Sequence, residues 1–309
     1  MLRVHPTSTP ATGHTMNPST MAMPAGVVLH PGRGNLDRLT IDTPACTGEV
    51  YLHGAHVTAW APRGSTPVIW MSAASAFETG RPIRGGVPLC FPWFGPHPAS
   101  PGRAPHGFAR LLPWTLDRVA RDGDAVTMTL SLRNGADNDD LWPHRCALTY
   151  TASFGRELAL ELAVRNVGAT ACPVQEALHT YIAVGDIRQV AIEGLAGVTY
   201  VDKMRGGERC IQDSAPLRFT GETDRPYLDT DAAVTVVDAA RARRVVVEKG
   251  GSRTTVVWNP WLAKARAMPD FGDDEWPAMV CVEAANALDN AYVLAPGEEH
   301  RLRTRIRVE

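Results

Sequence analysis

The alternation of apolar and polar residues with a period of two restricts this chain more than any single motif. Val126, Met128, Leu130 and Leu132 alternate with Thr127, Thr129, Ser131 and Arg133. Leu158, Leu160, Leu162 and Val164 alternate with Ala159, Glu161, Ala163 and Arg165. Such spacing gives a strand with one buried and one wetter face. At the end of the chain, Leu302, Thr304, Ile306 and Val308 alternate with four arginines at 301, 303, 305 and 307. This is expected as an edge strand whose arginines face solvent and block pairing with another chain. Further strands are expected at 49–59, 147–154, 177–184, 244–248, 254–258, 278–284 and 291–294. Asn134-Gly135, Gly206-Gly207, Gly250-Gly251 and Pro296-Gly297 mark turns between many of them.

No helical period longer than two turns is sustained, so strands do not alternate with helices and a parallel α/β sheet is disfavoured. No repeat of 20–50 residues is present, which argues against a propeller or solenoid. With 309 residues and 44% hydrophobic content, the chain can fill one large core. The expected fold is all-β: a single large antiparallel β-sandwich over residues 26–309. Long loops are expected at 61–113, 202–230 and 259–278, and loops of that length are usually functional. Residues 1–25 are rich in Thr, Pro, Ala, Ser and Met and lack a basic start and an apolar run. They read as a disordered, non-catalytic tail, or as a start placed ahead of Met16, Met21 or Met23.

A formal net charge of −2 gives no general affinity for polyanions, so nucleic acid is not expected as a partner. No run of ~18 apolar residues is available to span a membrane. The six cysteines show no two-residue spacing, and several lie in apolar runs such as PLCFP and MVCVE. They read as small buried hydrophobes in a reducing compartment, expected to be the cytoplasm.

The segment IRGGVPLCFPWFGP, residues 83–96, is apolar yet punctuated by three glycines and three prolines. An apolar stretch that cannot be regular structure is expected to line a site. Arg84 stands at its entrance, and His106 and Arg110 follow in PHGFAR. Two guanidinium groups at one rim suit a phosphate, which they grip in a fork. No Gly-Lys-Ser/Thr follows the glycines and their spacing is not that of a dinucleotide site, so side chains would hold the anion. His179, in EALHTYIAVGDI, shares a strand face with Ala177, Tyr181 and Ala183. Glu283, in MVCVEAAN, is a lone carboxylate in an apolar strand, where it must be hydrogen-bonded, paired or used. Trp60, Trp70, Trp93, Trp258 and Trp261 fall in or beside these segments and serve equally as sugar platforms or as core. His53 and His56 are close in sequence, but no further ligand completes a metal set by spacing. No Gly-x-Ser-x-Gly elbow supports a serine triad.

Six motifs in order, IRGGVPLCFPWFGP, PHGFAR, EALHTYIAVGDI, GLAGVTYVDK, VVWNPW and MVCVEAAN, resemble those of the glucose-6-phosphate 1-epimerases. That group is a branch of the aldose 1-epimerase, or mutarotase, superfamily. YLHGAHVTAW and DFGDDEW also fit, so the resemblance runs from about residue 27 to the end of the chain. It implies a β-sandwich of the galactose-mutarotase type that interconverts the anomers of a hexose 6-phosphate, with glucose 6-phosphate the first expectation. It also implies His179 as general acid, Glu283 as general base, and Arg84 and Arg110 as substrate-binding arginines. His106 would line the same site and Asp202, in TYVDK, would contact the sugar. Neither cofactor nor metal is implied, and a monomer acting on a small sugar phosphate is expected. Many relatives carry glutamine immediately before HGFAR; Pro105 stands there in this chain and leaves the hexose preference open. A general aldose 1-epimerase and a non-catalytic sugar-phosphate sensor are the alternatives. A glycoside hydrolase would need two carboxylates flanking the bond, where the matching motifs offer one.

Overall fold

A computed structural model describes residues 21–97, 99–100, 102–134 and 142–309. Among them every strand pairing is antiparallel, and two large sheets carry the architecture. The nine-stranded sheet has the order Leu217–Arg218, Val190–Glu193, Val234–Asp238, Arg243–Gly250, Glu299–Val308, Leu158–Asn166, Cys146–Phe154, Ala125–Arg133, Thr115–Asp122. The eight-stranded sheet runs Glu208–Ile211, Thr199–Asp202, Thr223–Tyr227, Thr254–Asn259, Met279–Asn286, Glu176–Leu178, Leu89–Cys90; Tyr181–Ala183 also pairs with Met279–Asn286. A four-stranded sheet, Val27–Pro31 to His56–Pro62, and a two-stranded ribbon complete the described residues.

The core lies between the two large sheets. Leu302, Ile306, Leu160, Leu162 and Tyr150 from one sheet join Leu178, Ile182, Val257, Val280 and Val282 from the other in one buried cluster. The four-stranded sheet closes the flank, where Trp60 Nε1 donates to the Gly155 carbonyl at 3.2 Å. Burying apolar area at roughly 25 cal/mol per Å² makes this the main source of stability.

Several strand expectations are corrected. Glu299–Val308 is central, paired on one side with Arg243–Gly250 and on the other with Leu158–Asn166. Its arginines do face outward, but they form a ladder with Glu161, Glu157 and Glu248. A period of two reports which face is wet and says nothing about position in the sheet. Residues 49–59 are two strands, Cys46–Tyr51 and His56–Pro62, because Gly54 and Ala55 turn with positive φ. The expected loop 202–230 contains three strands, Glu208–Ile211, Leu217–Arg218 and Thr223–Tyr227. The segment 259–278 carries the helix Trp261–Ala267, only seven residues long.

Of the expected tail, residues 1–20 lie outside the described residues, as does Gly135 of the Asn134-Gly135 turn. Residues 21–25 sit on the domain. Met21 and Met23 pack half-buried against the core, and Arg121 donates to the Ala25 carbonyl at 2.8 Å. No helix is long and apolar enough to cross a membrane among the described residues. All six cysteines are free, and five are buried.

Candidate active site

The site forms on the face of the eight-stranded sheet turned away from the sandwich core. Val256 stands opposite Glu283, Trp258 opposite Cys281, and Ala177 opposite Ala285, so these side chains share that face. Val280, Val282 and Ala284 point the other way, into the core cluster. A cavity of about 480 Å³ opens above this face, within the ~300–1,000 Å³ usual for small-molecule sites. Segment 83–96 and the loop carrying His106 and Arg110 form one wall. The hairpin carrying Lys203 and the helix carrying Lys264 border the rest.

The wall depends on glycine where it folds back. Gly86 has φ +66°, and a Cβ there would lie 2.3 Å from the Val57 carbonyl oxygen. Gly107 has φ +73°, and its Cβ would lie 1.8 Å from the Phe91 oxygen. No side chain fits at either point. His56 Nε2 and His53 Nε2 each hydrogen-bond a backbone carbonyl, of Gly85 and Arg81, at 2.8 Å. These two histidines brace the wall and do not converge on an ion.

His179 interrupts the strand that sequence alternation predicts, standing between Glu176–Leu178 and Tyr181–Ala183. Its backbone N–H donates to Pro88 O, which ties it to the wall. The imidazole lies flat on Tyr181, centroids 4.9 Å apart, and meets Trp258 edge-on. Its Nδ1 is 3.3 Å from Glu283 Oε1, yet the pair is not aligned for a hydrogen bond. Both side chains are buried, and His179 Nδ1 and Glu283 Oε2 have no hydrogen-bond partner. Burial, then the charges of Arg110 and Arg84, hold His179 well below the ordinary imidazole range. Burial, reinforced by Asp224, holds Glu283 well above the carboxylate range. Both shifts favour the uncharged forms, imidazole and carboxylic acid, and so set a proton acceptor beside a proton donor.

His106 lines the cavity with φ +62° and accepts the Gly95 N–H at Nδ1, 3.3 Å. Burial and then Arg110 keep its ring neutral, so its proton sits on Nε2. Arg110 is buried, donates to the Pro105 carbonyl at 2.8 Å, and leaves Nε without a partner. No carboxylate pairs with it among the described residues. Pro105 thus contributes a carbonyl to Arg110 in place of a side chain.

Arg84 also lines the cavity but is already engaged. Its Nε and Nη2 meet Asp270 Oδ2 at 3.2 and 3.1 Å, and Nη1 donates to Tyr181 OH at 3.0 Å. Asp202 stands outside the lining. It is buried, caps the turn through Met204 N–H at 3.0 Å, and pairs with Arg225 at 3.2 Å. Its neighbour Lys203 lines the cavity instead and pairs with Asp224 at 3.1 Å. Of the five tryptophans considered, Trp258 alone is among the lining residues.

Lys203, Asp224, Lys264 and Asp270 were not singled out from the sequence. Asp270 falls inside DFGDDEW, a segment whose only signal in the sequence is the family resemblance. Asp224 sits in TDRPY, a strand whose Pro226 hides it from propensity and alternation.

The fold is thus a two-sheet antiparallel sandwich with a histidine–glutamate pair and several cations at one cavity. The family model described as Aldose 1-epimerase matches residues 37–307, and the chain belongs to that family. It is 36% identical over 265 residues to an Escherichia coli (strain K12) protein named "Putative glucose-6-phosphate 1-epimerase", covering 86% of this chain and 88% of the relative. A protein of the same name from Cenchrus ciliaris is 34% identical, with 83% and 79% covered. The crystal structure of "a putative mutarotase (YeaD)" from Salmonella typhimurium superposes with a TM-score of 0.87 at 32% identity, covering 93% of this chain and 95% of that one. Galactose 1-epimerase from Lactobacillus acidophilus NCFM shares the fold, with a TM-score of 0.72 at 14% identity, 93% of this chain and 99% of that one.

Proposed function

We propose that this chain interconverts the α and β anomers of a hexose 6-phosphate, with glucose 6-phosphate the substrate to test first. The observation that carries the reading is buried His179 beside buried Glu283, with His179 Nδ1 and Glu283 Oε2 making no hydrogen bond, in a cavity where Arg110 pairs with no carboxylate among the described residues. The names carried by the Escherichia coli and Cenchrus ciliaris relatives point the same way.

In this reading Glu283 takes the proton from the C1 hydroxyl while His179 protonates the ring oxygen. The C1–O5 bond breaks, leaving an open-chain aldehyde. Rotation about C1–C2 presents the other carbonyl face, and O5 attacks it. O5 returns its proton to His179, and the new C1 hydroxyl receives one from Glu283. Atoms and electrons balance with no further reactant. In the empty site, burial favours neutral His179 and protonated Glu283, the same proton count with the roles exchanged. A bound phosphate offsets Arg110, Arg84 and Lys203, the charges that depress His179, and so moves the proton toward the imidazole.

Arg110 is the best placed anion ligand, since a buried guanidinium without a counter-ion is costly until one arrives. Arg84 is compensated by Asp270 and serves more to hold Tyr181 under His179. The reading includes a monomer, and a reducing compartment such as the cytoplasm, in keeping with the free cysteines. Comparing the catalysed exchange of glucose 6-phosphate and of free glucose tests the substrate. Equal rates would make the chain a general aldose 1-epimerase.

A further inference from the structure

The acid–base pair has a third donor beside it. Cys281 lies two residues before Glu283 on the same strand face and stands in register with Tyr181 and Trp258. One ligand atom each from His179, Cys281 and Glu283 lies within 4.8 Å of the others, and this is the one such trio found among the described residues. His179 Nδ1 and Glu283 Oε2 are buried and make no hydrogen bond, so both are free to ligate.

Imidazole nitrogen, thiolate sulfur and carboxylate oxygen together form a donor set for zinc-type ions; magnesium and calcium take oxygen ligands. Bonds of ~2.0–2.3 Å in a tetrahedron place ligand atoms roughly 3.3–3.8 Å apart, so the trio need close by only about 1 Å. His179 and Glu283 line the cavity, and Cys281 lies buried directly behind them. Arg84, Arg110 and Lys203 border the site and oppose any cation, so an ion there needs the charge of both a thiolate and a carboxylate.

We propose that the substrate-free protein binds one zinc-class divalent cation through His179, Cys281 and Glu283, and that this ion holds the site inactive. On binding, the thiol proton leaves to water and an S–metal bond replaces S–H, without oxidation. The inhibitory part rests on the epimerase reading above; the binding part does not.

Co2+ alone is the probe, titrated into the full chain. The expected result is a sulfur-to-cobalt charge-transfer band with the intense visible absorption of four-coordinate Co2+, saturating at about one ion per chain. Cys281→Ser and His179→Asn should each abolish the band. Cys210→Ser, which changes the half-exposed cysteine, should leave it intact. Excess Mg2+ should not displace the ion, and glucose 6-phosphate should. In the exchange assay, Zn2+ should inhibit reversibly to chelation, and about 10-fold or more weakly in Cys281→Ser. Absence of the band in the unaltered protein, its persistence in either Cys281→Ser or His179→Asn, or its loss in Cys210→Ser would overturn the assignment. Should Cys281→Ser not fold, Cys281→Ala and His179→Asn give the same decision.

Discussion

The ring of Tyr181 lies parallel to that of His179, 4.9 Å between centroids and 9° between planes, while its hydroxyl accepts from Arg84 at 3.0 Å. Asp270 fixes the other side of Arg84, so a loop far along the chain sets the pitch of the imidazole. Tyr181→Phe keeps the ring but loses the anchor. It should lower kcat by about 10-fold while KM changes little, because positioning acts on the transition state. Steady-state kinetics decide this; a change confined to KM would place Tyr181 in binding instead.

The two arginines should separate by substrate. Charge-assisted contacts to phosphate are worth roughly 1.5–3 kcal/mol. Arg110→Met should therefore reduce kcat/KM for glucose 6-phosphate by ~10- to 150-fold and affect free glucose far less. Arg84→Ala should slow both sugars alike, since Asp270 already compensates its charge. A phosphate-specific loss in Arg84→Ala, with none in Arg110→Met, would reverse the assignment.

Asp224 raises the proton affinity of Glu283 and is held by Lys203. Asp224→Asn removes that carboxylate's charge and leaves Lys203 uncompensated, and both changes favour the carboxylate form of Glu283. The alkaline limb of kcat/KM, where the pair loses its shared proton, should move to lower pH. A limb that stays put or rises would show that Asp224 does not act on Glu283.

Glu176 is a buried carboxyl that the mechanism does not use. It accepts from Asn286 Nδ2 at 2.9 Å, and burial pushes its pKa up to about 8 from 4.5. The folded state then keeps a proton that the unfolded chain releases. Stability from this group is present below pH ~4.5 and is lost as pH rises toward about 8, by up to ~1.4 kcal/mol per unit. Glu176→Gln keeps the acceptor and removes the titration. Denaturant unfolding across this window should show a flatter pH dependence in the variant, and a higher stability at pH 8 than in the unaltered protein. An unchanged slope would mean that Glu176 ionises freely in the folded state.

How much was legible depends on whether the signal was local. Ala125–Arg133 and Leu158–Asn166 follow directly from alternation, because each strand has one wet and one dry face. Glu299–Val308 alternates just as clearly, but its neighbours are set by distant segments, so its central place could not be read. Thr223–Tyr227 was hidden by Pro226, which is tolerated where the ladder to Thr199–Asp202 shrinks to the single pair Tyr200–Tyr227. Missing that strand also hid Asp224. His179 and Glu283 stood out because each is a polar group in an apolar run. The engagement of Arg84 by Asp270 spans 186 positions and leaves no local trace.

The central claim is that His179 and Glu283 exchange the anomers of a hexose 6-phosphate, and magnetisation exchange between the two anomeric NMR signals of glucose 6-phosphate reads it directly. The unaltered protein should accelerate that exchange well above its effect on free glucose. Glu283→Gln and His179→Asn should each lower kcat by roughly 100-fold or more with an unshifted melting temperature. Near-normal exchange in a folded Glu283→Gln protein would contradict the account.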